Sequence, residues 1–127
     1  METQDTQEGV QEEVQSEEMQ LITYEDFAKI DIRIGTIRAA ELIPDTDKLI
    51  KCTVDFGELG ERTIVSGIAQ YYSPESLVGK QCPYVVNLEP RKLRGVVSEG
   101  MLFASSPNGD CSLLHPDTEV PPGTLTK

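Results

Sequence analysis

The feature that most limits what this chain can fold into is an alternation of apolar and polar residues with a period of two. Ile30, Ile32 and Ile34 alternate with Asp31, Arg33 and Gly35. Further on, Ile50, Cys52, Val54 and Phe56 alternate with Lys51, Thr53 and Asp55. A period of two puts one set of side chains on one face of a pleated sheet, so these runs read as half-buried strands. In the first run the apolar phase slips at Gly35-Thr36 to Ile37 and Ala39, which predicts a glycine bulge in a long, coiled strand. Such a strand bends far enough to serve both sides of a small barrel.

The remaining elements are short. Thr23-Tyr24-Glu25-Asp26 offers a capping hydroxyl with a carboxylate three residues on, ahead of Phe27 and Ile30, and predicts a helix of one or two turns. Pro44 to Lys48 is turn chemistry. Arg62 to Ser66 is a third strand, paired as a hairpin with the second through Gly57 to Glu61. Ile68 to Tyr72 reads as a helical turn, and Ser73-Pro74-Glu75 as an N-cap, a first helical position and a first-turn acid. Strand four runs from Lys80 to Leu88 with Cys82, Tyr84, Val86 and Leu88 on one face; Pro83 makes it an edge or turns its nitrogen away from a partner. Gly100 to Ser105 is strand five, and Pro107-Asn108-Gly109-Asp110 turns the chain into Cys111 to Leu114. This order, with no crossover helix, predicts an all-β fold: a five-stranded Greek-key barrel of the OB type with short helices and a C-terminal extension.

Length allows one domain. Charge divides it unevenly, because seven of the 22 acids lie in residues 1–20, where no Lys or Arg occurs. That leaves 15 acids against 11 bases, a net of −4, for residues 21–127. With too little apolar surface to offset the entropy of ordering, residues 1–21 read as a disordered acidic tail or an interdomain linker, and 22–127 as the folded domain. Against this background, Arg91, Lys92 and Arg94 put three cations into four positions. Such a spot suggests an anionic partner; the competing reading is a solvated turn whose cations discourage edge pairing.

Catalytic constellations are missing. Cys52, Cys82 and Cys111 are odd in number and form no Cys-x-x-Cys pair, which suggests reduced thiols and no zinc site. His115 is the single histidine. There is no Walker loop, no Gly-x-Gly-x-x-Gly and no Gly-x-Ser-x-Gly, so the chain by itself is not expected to be an enzyme or to need a cofactor. Asp45 and Asp47 flank a turn, where Asp serves the backbone. Tyr84 has core parity, and Tyr71 and Tyr72 lie in the connecting turns as lids, so the row of stacking aromatics typical of single-strand binders is absent. No signal sequence or membrane-length apolar run occurs, and a cytoplasmic protein with no membrane partner is expected.

Five ordered blocks carry a resemblance: Lys29 to Gly35, Asp47-Lys48-Leu49, Ile64 to Ile68, Asn87 to Gly95 and Ser98-Glu99-Gly100-Met101. Together they resemble the tRNA-binding domain at the C-terminus of bacterial methionyl-tRNA synthetases, a domain that also occurs as free-standing tRNA-binding proteins and in export-chaperone-like homodimers. The resemblance implies an OB-fold that binds tRNA by shape and phosphate recognition. It also implies a homodimer formed through the C-terminal region, with chemistry left to a parent synthetase's catalytic domain outside this sequence. Position by position it implies that Lys48, Arg91, Lys92 and Arg94 meet phosphates, while Asn87, Ser98 and Met101 shape the surface against tRNA. Each of the last three has a rival role: Asn87 as a cap of strand four, Ser98 as a backbone partner, Met101 as core.

Overall fold

The computed structural model describes residues 18–127. The expectation of a disordered tail falls largely outside this range. Helix α1 (Tyr24–Ala28) starts where the cap predicts, with Thr23 Oγ1 accepting from the Asp26 N–H at 3.0 Å. Strands β1 (Ile32–Leu42), β2 (Ile50–Asp55) and β3 (Glu61–Ser66) follow, then helix α2 (Pro74–Leu77), capped by Ser73, and strand β4 (Gln81–Val85). A hairpin of β5 (Arg91–Leu93) and β6 (Val96–Ser98) leads to β7 (Met101–Leu102), β8 (Ala104–Ser105), β9 (Ser112–Leu113) and β10 (Leu125–Thr126).

The main sheet has the order β3-β2-β1-β4-β7, every pair antiparallel, with β10 added along the start of β1. It curls into a nearly closed OB-like barrel. Strand β1 makes the curl possible. Its first half pairs with β4, from Ile32 opposite Val85 to Thr36 opposite Gln81, and its second half pairs with β2. The bulge sits later than the alternation suggested. Register shifts between Ile37 and Ala39, so Arg38 is the extra residue; Ala40 packs against the core and Ala39 is exposed. Gly35 has another job. A Cβ there would stand 2.4 Å from Val54 Cγ1 and 2.6 Å from Phe56 Cε1, so β1 can cross the core only without a side chain at this point.

The barrel is filled from the alternating faces: Ile37, Ile50, Cys52, Val54, Phe56, Ile64, Cys82, Tyr84 and Val86, with Leu77 of α2 and Ile68 completing the fill. Phe56 and Tyr84 meet edge to face, with ring centroids 5.4 Å apart. Two expectations are corrected and a third is narrowed. Strand four ends at Val85 and Leu88 is 47% exposed, because the chain bends away at Asn87-Leu88 to build the hairpin. Of the two readings of Pro83 the edge is excluded, since β4 lies between β1 and β7, and the reading with its nitrogen turned from a partner is left; its carbonyl accepts from Phe103 N–H at the end of the two-residue β7 ladder. Strand five breaks at Phe103, after which β8 leaves the barrel to pair with β9.

The C-terminal extension is strapped to its own barrel. The buried Gln81 amide donates to Thr36 Oγ1 and the Val120 carbonyl while its oxygen accepts from Val120 N–H. Ile34 exchanges backbone bonds with Gly123 and Thr124. Gly123, at φ +87, passes so close to the Phe56 carbonyl that an added Cβ would overlap it.

Candidate nucleic-acid interface

Between β4 and β7 the chain leaves the barrel as the β5–β6 hairpin. Leu93 faces Val96, so Arg94 and Gly95 alone make the turn, at φ +51 and φ +82. Two left-handed residues in a two-residue loop match the twist of the flanking strands, the geometry of a type I′ turn. Asn or Gly is the usual first residue of such a turn; here an arginine occupies it, at a steric cost.

The strand period distributes the cations. Arg91 and Leu93 share a face with their partners Ser98 and Val96, Lys92 pairs with Val97 on the opposite face, and Arg94 is at the tip. The three cations therefore surround a finger and do not form one flat patch. Arg91, Leu93, Ser98 and Met101, with Val65, Leu88, Gly100 and the carboxylate-bearing Glu89, line a hollow of about 80 Å³ at the root of the hairpin. Met101 is 45% exposed there, whereas Ser98 is 4% exposed. The Ser98 hydroxyl accepts from Val65 N–H at 2.9 Å and donates to the Gly100 carbonyl at 3.2 Å, which uses its hydrogen.

Lys48 lies near the end of the β1–β2 connection, two residues before Ile50, which pairs with Ser66 beside the Val65 that Ser98 holds. It belongs to the same end of the β2–β3 pair as the hairpin root. Asn87 is not brought into the hollow. Its Oδ1 accepts from Asp31 N–H at 2.9 Å and its Nδ2 donates to the Lys29 carbonyl at 2.6 Å, tying the end of β4 to the segment between α1 and β1.

Charge pairing occupies several of the cations outside the hairpin. Lys29, Arg33, Arg38 and Lys51 make ion pairs with Asp26, Asp31, Asp55 and Glu41. Lys80 lies over the Tyr72 ring, and Arg62 donates to the Val86 carbonyl. Among the described residues Lys48, Arg91, Lys92 and Arg94, and likewise Lys127, make no such pair. Asp55 is held below the ordinary carboxylate range by the Gly57 N–H and then by Arg38, whose Nε and Nη2 both donate to it.

The thiols are kept protonated by burial. Burial pushes the Cys52 and Cys82 thiols up to about 11, away from thiolate reactivity. Burial raises Tyr84 further and also raises Cys111. His115 Nδ1 lies 2.8 Å from the Gln81 carbonyl, and no group of three or more His, Cys, Asp or Glu is placed to hold a metal. No described helix is long and apolar enough to cross a membrane.

The tRNA binding domain family matches residues 32–125. The chain belongs to this family. It is 50% identical over 107 residues to a methionine–tRNA ligase of Porphyromonas gingivalis, covering 84% of this chain and 16% of the ligase. The chain thus spans about a sixth of that relative, and the match does not reach the ligase's catalytic domain. Among solved structures, a MetRS related protein from Pyrococcus horikoshii superposes with a TM-score of 0.81 at 44% identity, covering 86% of this chain and all of that one. The chaperone CsaA from Bacillus anthracis superposes at 0.78 with 38% identity, covering 85% and 100%. The family match extends across the barrel and its hairpin. Within this tRNA-binding domain, what the sequence did not disclose is the two-residue turn at Arg94-Gly95 and the pairing of Val97 with Lys92. The signal was an Arg-Gly pair between Leu93 and Val96, obscured because arginine is an unusual opener for a type I′ turn.

Proposed function

We propose that this chain is a tRNA-binding module of a methionine–tRNA ligase, raising the parent's affinity for tRNA by shape and phosphate recognition and taking no part itself in catalysis. The observation that carries this reading is the hairpin of a tRNA-binding domain whose Arg91, Lys92 and Arg94 are partnered by no carboxylate among the described residues. Cations on both faces and at the tip of a finger suit the phosphates on two sides of a groove or corner. The hairpin itself carries no aromatic side chain on which a base could stack. Lys48 would add a phosphate contact from the β1–β2 connection, and Met101 would supply apolar contact beside Arg91. The closed hydrogen bonding of Ser98 and Asn87 favours their rival roles as braces of that surface.

A gel-shift series tests the reading, using folded tRNA, a linear strand of equal length and an unfolded peptide. Tight binding of folded tRNA over both competitors is expected. Equal affinity for the linear strand would overturn shape recognition, and preference for the peptide would favour the chaperone-like alternative. The free-standing alternative draws its support from the Pyrococcus and Bacillus proteins, whose whole chains are covered.

We place the module at residues 22–127, upstream of the family match, because Asn87 ties α1 and the start of β1 to the barrel. Homodimerisation belongs to the same proposal. Tyr24, Phe27 and Ile30 lie exposed around a groove that Leu125 of β10 completes, an apolar surface suited to a second copy. Light scattering should give a dimer for the chain and a monomer for Leu125→Glu; an unchanged dimer would exclude this seam. With tRNA as ligand, the cytoplasm is the proposed compartment.

A further inference from the structure

The barrel's sheet runs β3-β2-β1-β4-β7 and is not closed by a ladder between β3 and β7. The outer edge of β3 is satisfied in another way. Thr63 N–H donates to Glu99 Oε1 at 3.0 Å, and Glu99 N–H donates to the Thr63 carbonyl at 2.8 Å. Two residues on, Val65 N–H donates to Ser98 Oγ. Side chains of Ser98 and Glu99 thus take the places that backbone carbonyls would hold in a continuous ladder. Gly100 completes the join, since a Cβ there would stand 2.7 Å from Ile64 Cδ1 and 3.0 Å from the Val85 carbonyl.

This seam is also the root of the hairpin. Ser98 is the last residue of β6, opposite Arg91, and Glu99 follows it directly. The hairpin forms its own two-stranded sheet, so its backbone has no ladder to the barrel. Its direction is therefore set where its root is fastened.

We propose that Glu99 is a positioning residue for RNA binding: by clasping Thr63 through both its backbone and its carboxylate, it aims the cationic β5–β6 finger. The proposal rests on the tRNA-binding reading and adds a residue whose charge opposes RNA yet whose removal weakens binding. A merely repulsive carboxylate would act in the opposite direction.

The test compares Glu99→Ala with Glu99→Gln in the full chain, well below the melting temperature. Gln keeps an oxygen that can accept from Thr63 and loses the charge. Glu99→Ala is expected to weaken tRNA binding about tenfold and to flatten its salt dependence with every hairpin cation still present, while Glu99→Gln binds at least as well as wild type. Without RNA, amide exchange at Thr63 should speed about tenfold in the Ala variant and stay near native in the Gln variant. Tighter binding by both variants would overturn the proposal, leaving Glu99 as a repulsive charge only. Wild-type affinity and salt dependence in Glu99→Ala would equally overturn it. No tRNA binding by the wild-type chain would remove the functional reading together with the positioning role, whereas wild-type binding that Glu99→Ala leaves intact removes the positioning role alone.

Discussion

Arg94 couples backbone strain to the proposed function, so Arg94→Asn should move stability and binding in opposite directions. Arg94 sits at φ +51 in a two-residue turn. A left-handed conformation costs an ordinary L-residue about 1–2 kcal/mol, and Asn escapes part of that cost. No hydrogen bond or ion pair of the Arg94 side chain among the described residues offsets the change. Stabilisation of about 0.5–1 kcal/mol follows, a rise in Tm of roughly 2–5 °C for a domain of this size. The same substitution removes one of the charges proposed to meet phosphate, which should weaken tRNA binding about three- to tenfold and lower the salt slope by roughly 0.7–0.9. Thermal melts and fluorescence-anisotropy titrations on one preparation measure both. A lower Tm would show that the arginine holds the turn, and unchanged affinity would remove it from the RNA contact.

Gly35→Ala should destabilise the barrel by about 1–3 kcal/mol in urea titrations, because Val54 and Phe56 are buried and cannot yield to a new methyl group; a loss under about 0.5 kcal/mol would refute the close-approach argument. Asp55 has a folded-state pKa below its ordinary 3.8, so its contribution is complete above that value and fades as pH falls through the lowered one. The stability gap between wild type and Asp55→Asn should be flat above about pH 5 and shrink below 3.8, and a gap that grows on acidification would contradict the bonding seen. With Cys52 and Cys82 buried and raised to about 11, mass spectrometry after brief iodoacetamide treatment at neutral pH should find Cys111 modified first; early labelling of Cys82 would mean that the barrel opens readily.

Much of the barrel was legible because single residues carried its signals. The alternation of Ile50, Cys52, Val54 and Phe56 became the inner face of β2, Thr23 and Ser73 capped the two helices, and Tyr84 took its core place. What escaped notice depended on partners distant in sequence. Gly35 looked like a bulge glycine, yet it is small because Val54 and Phe56 cross above it, while the bulge falls on Arg38, whose guanidinium reaches Asp55 across the strand pair. Leu88 kept strand parity in the sequence, but the chain had already left the sheet. At the candidate site the cations were visible as a run, whereas their distribution over two faces and a tip required the pairing of Lys92 with Val97. Asn87 and Ser98 were found as members of motifs, and only the fold reveals their bonds to Asp31, Lys29, Val65 and Gly100.

The most direct test of the hairpin's role is the salt dependence of tRNA binding by the wild-type chain and by the Lys92→Ala, Arg94→Ala double variant. With three or four phosphates neutralised, log K against log salt should fall with a slope of roughly −2 to −4, and losing two cations should flatten it by roughly 1.5 with the melting temperature not lowered. A double variant with the wild-type slope and affinity would contradict the assignment of tRNA binding to this finger.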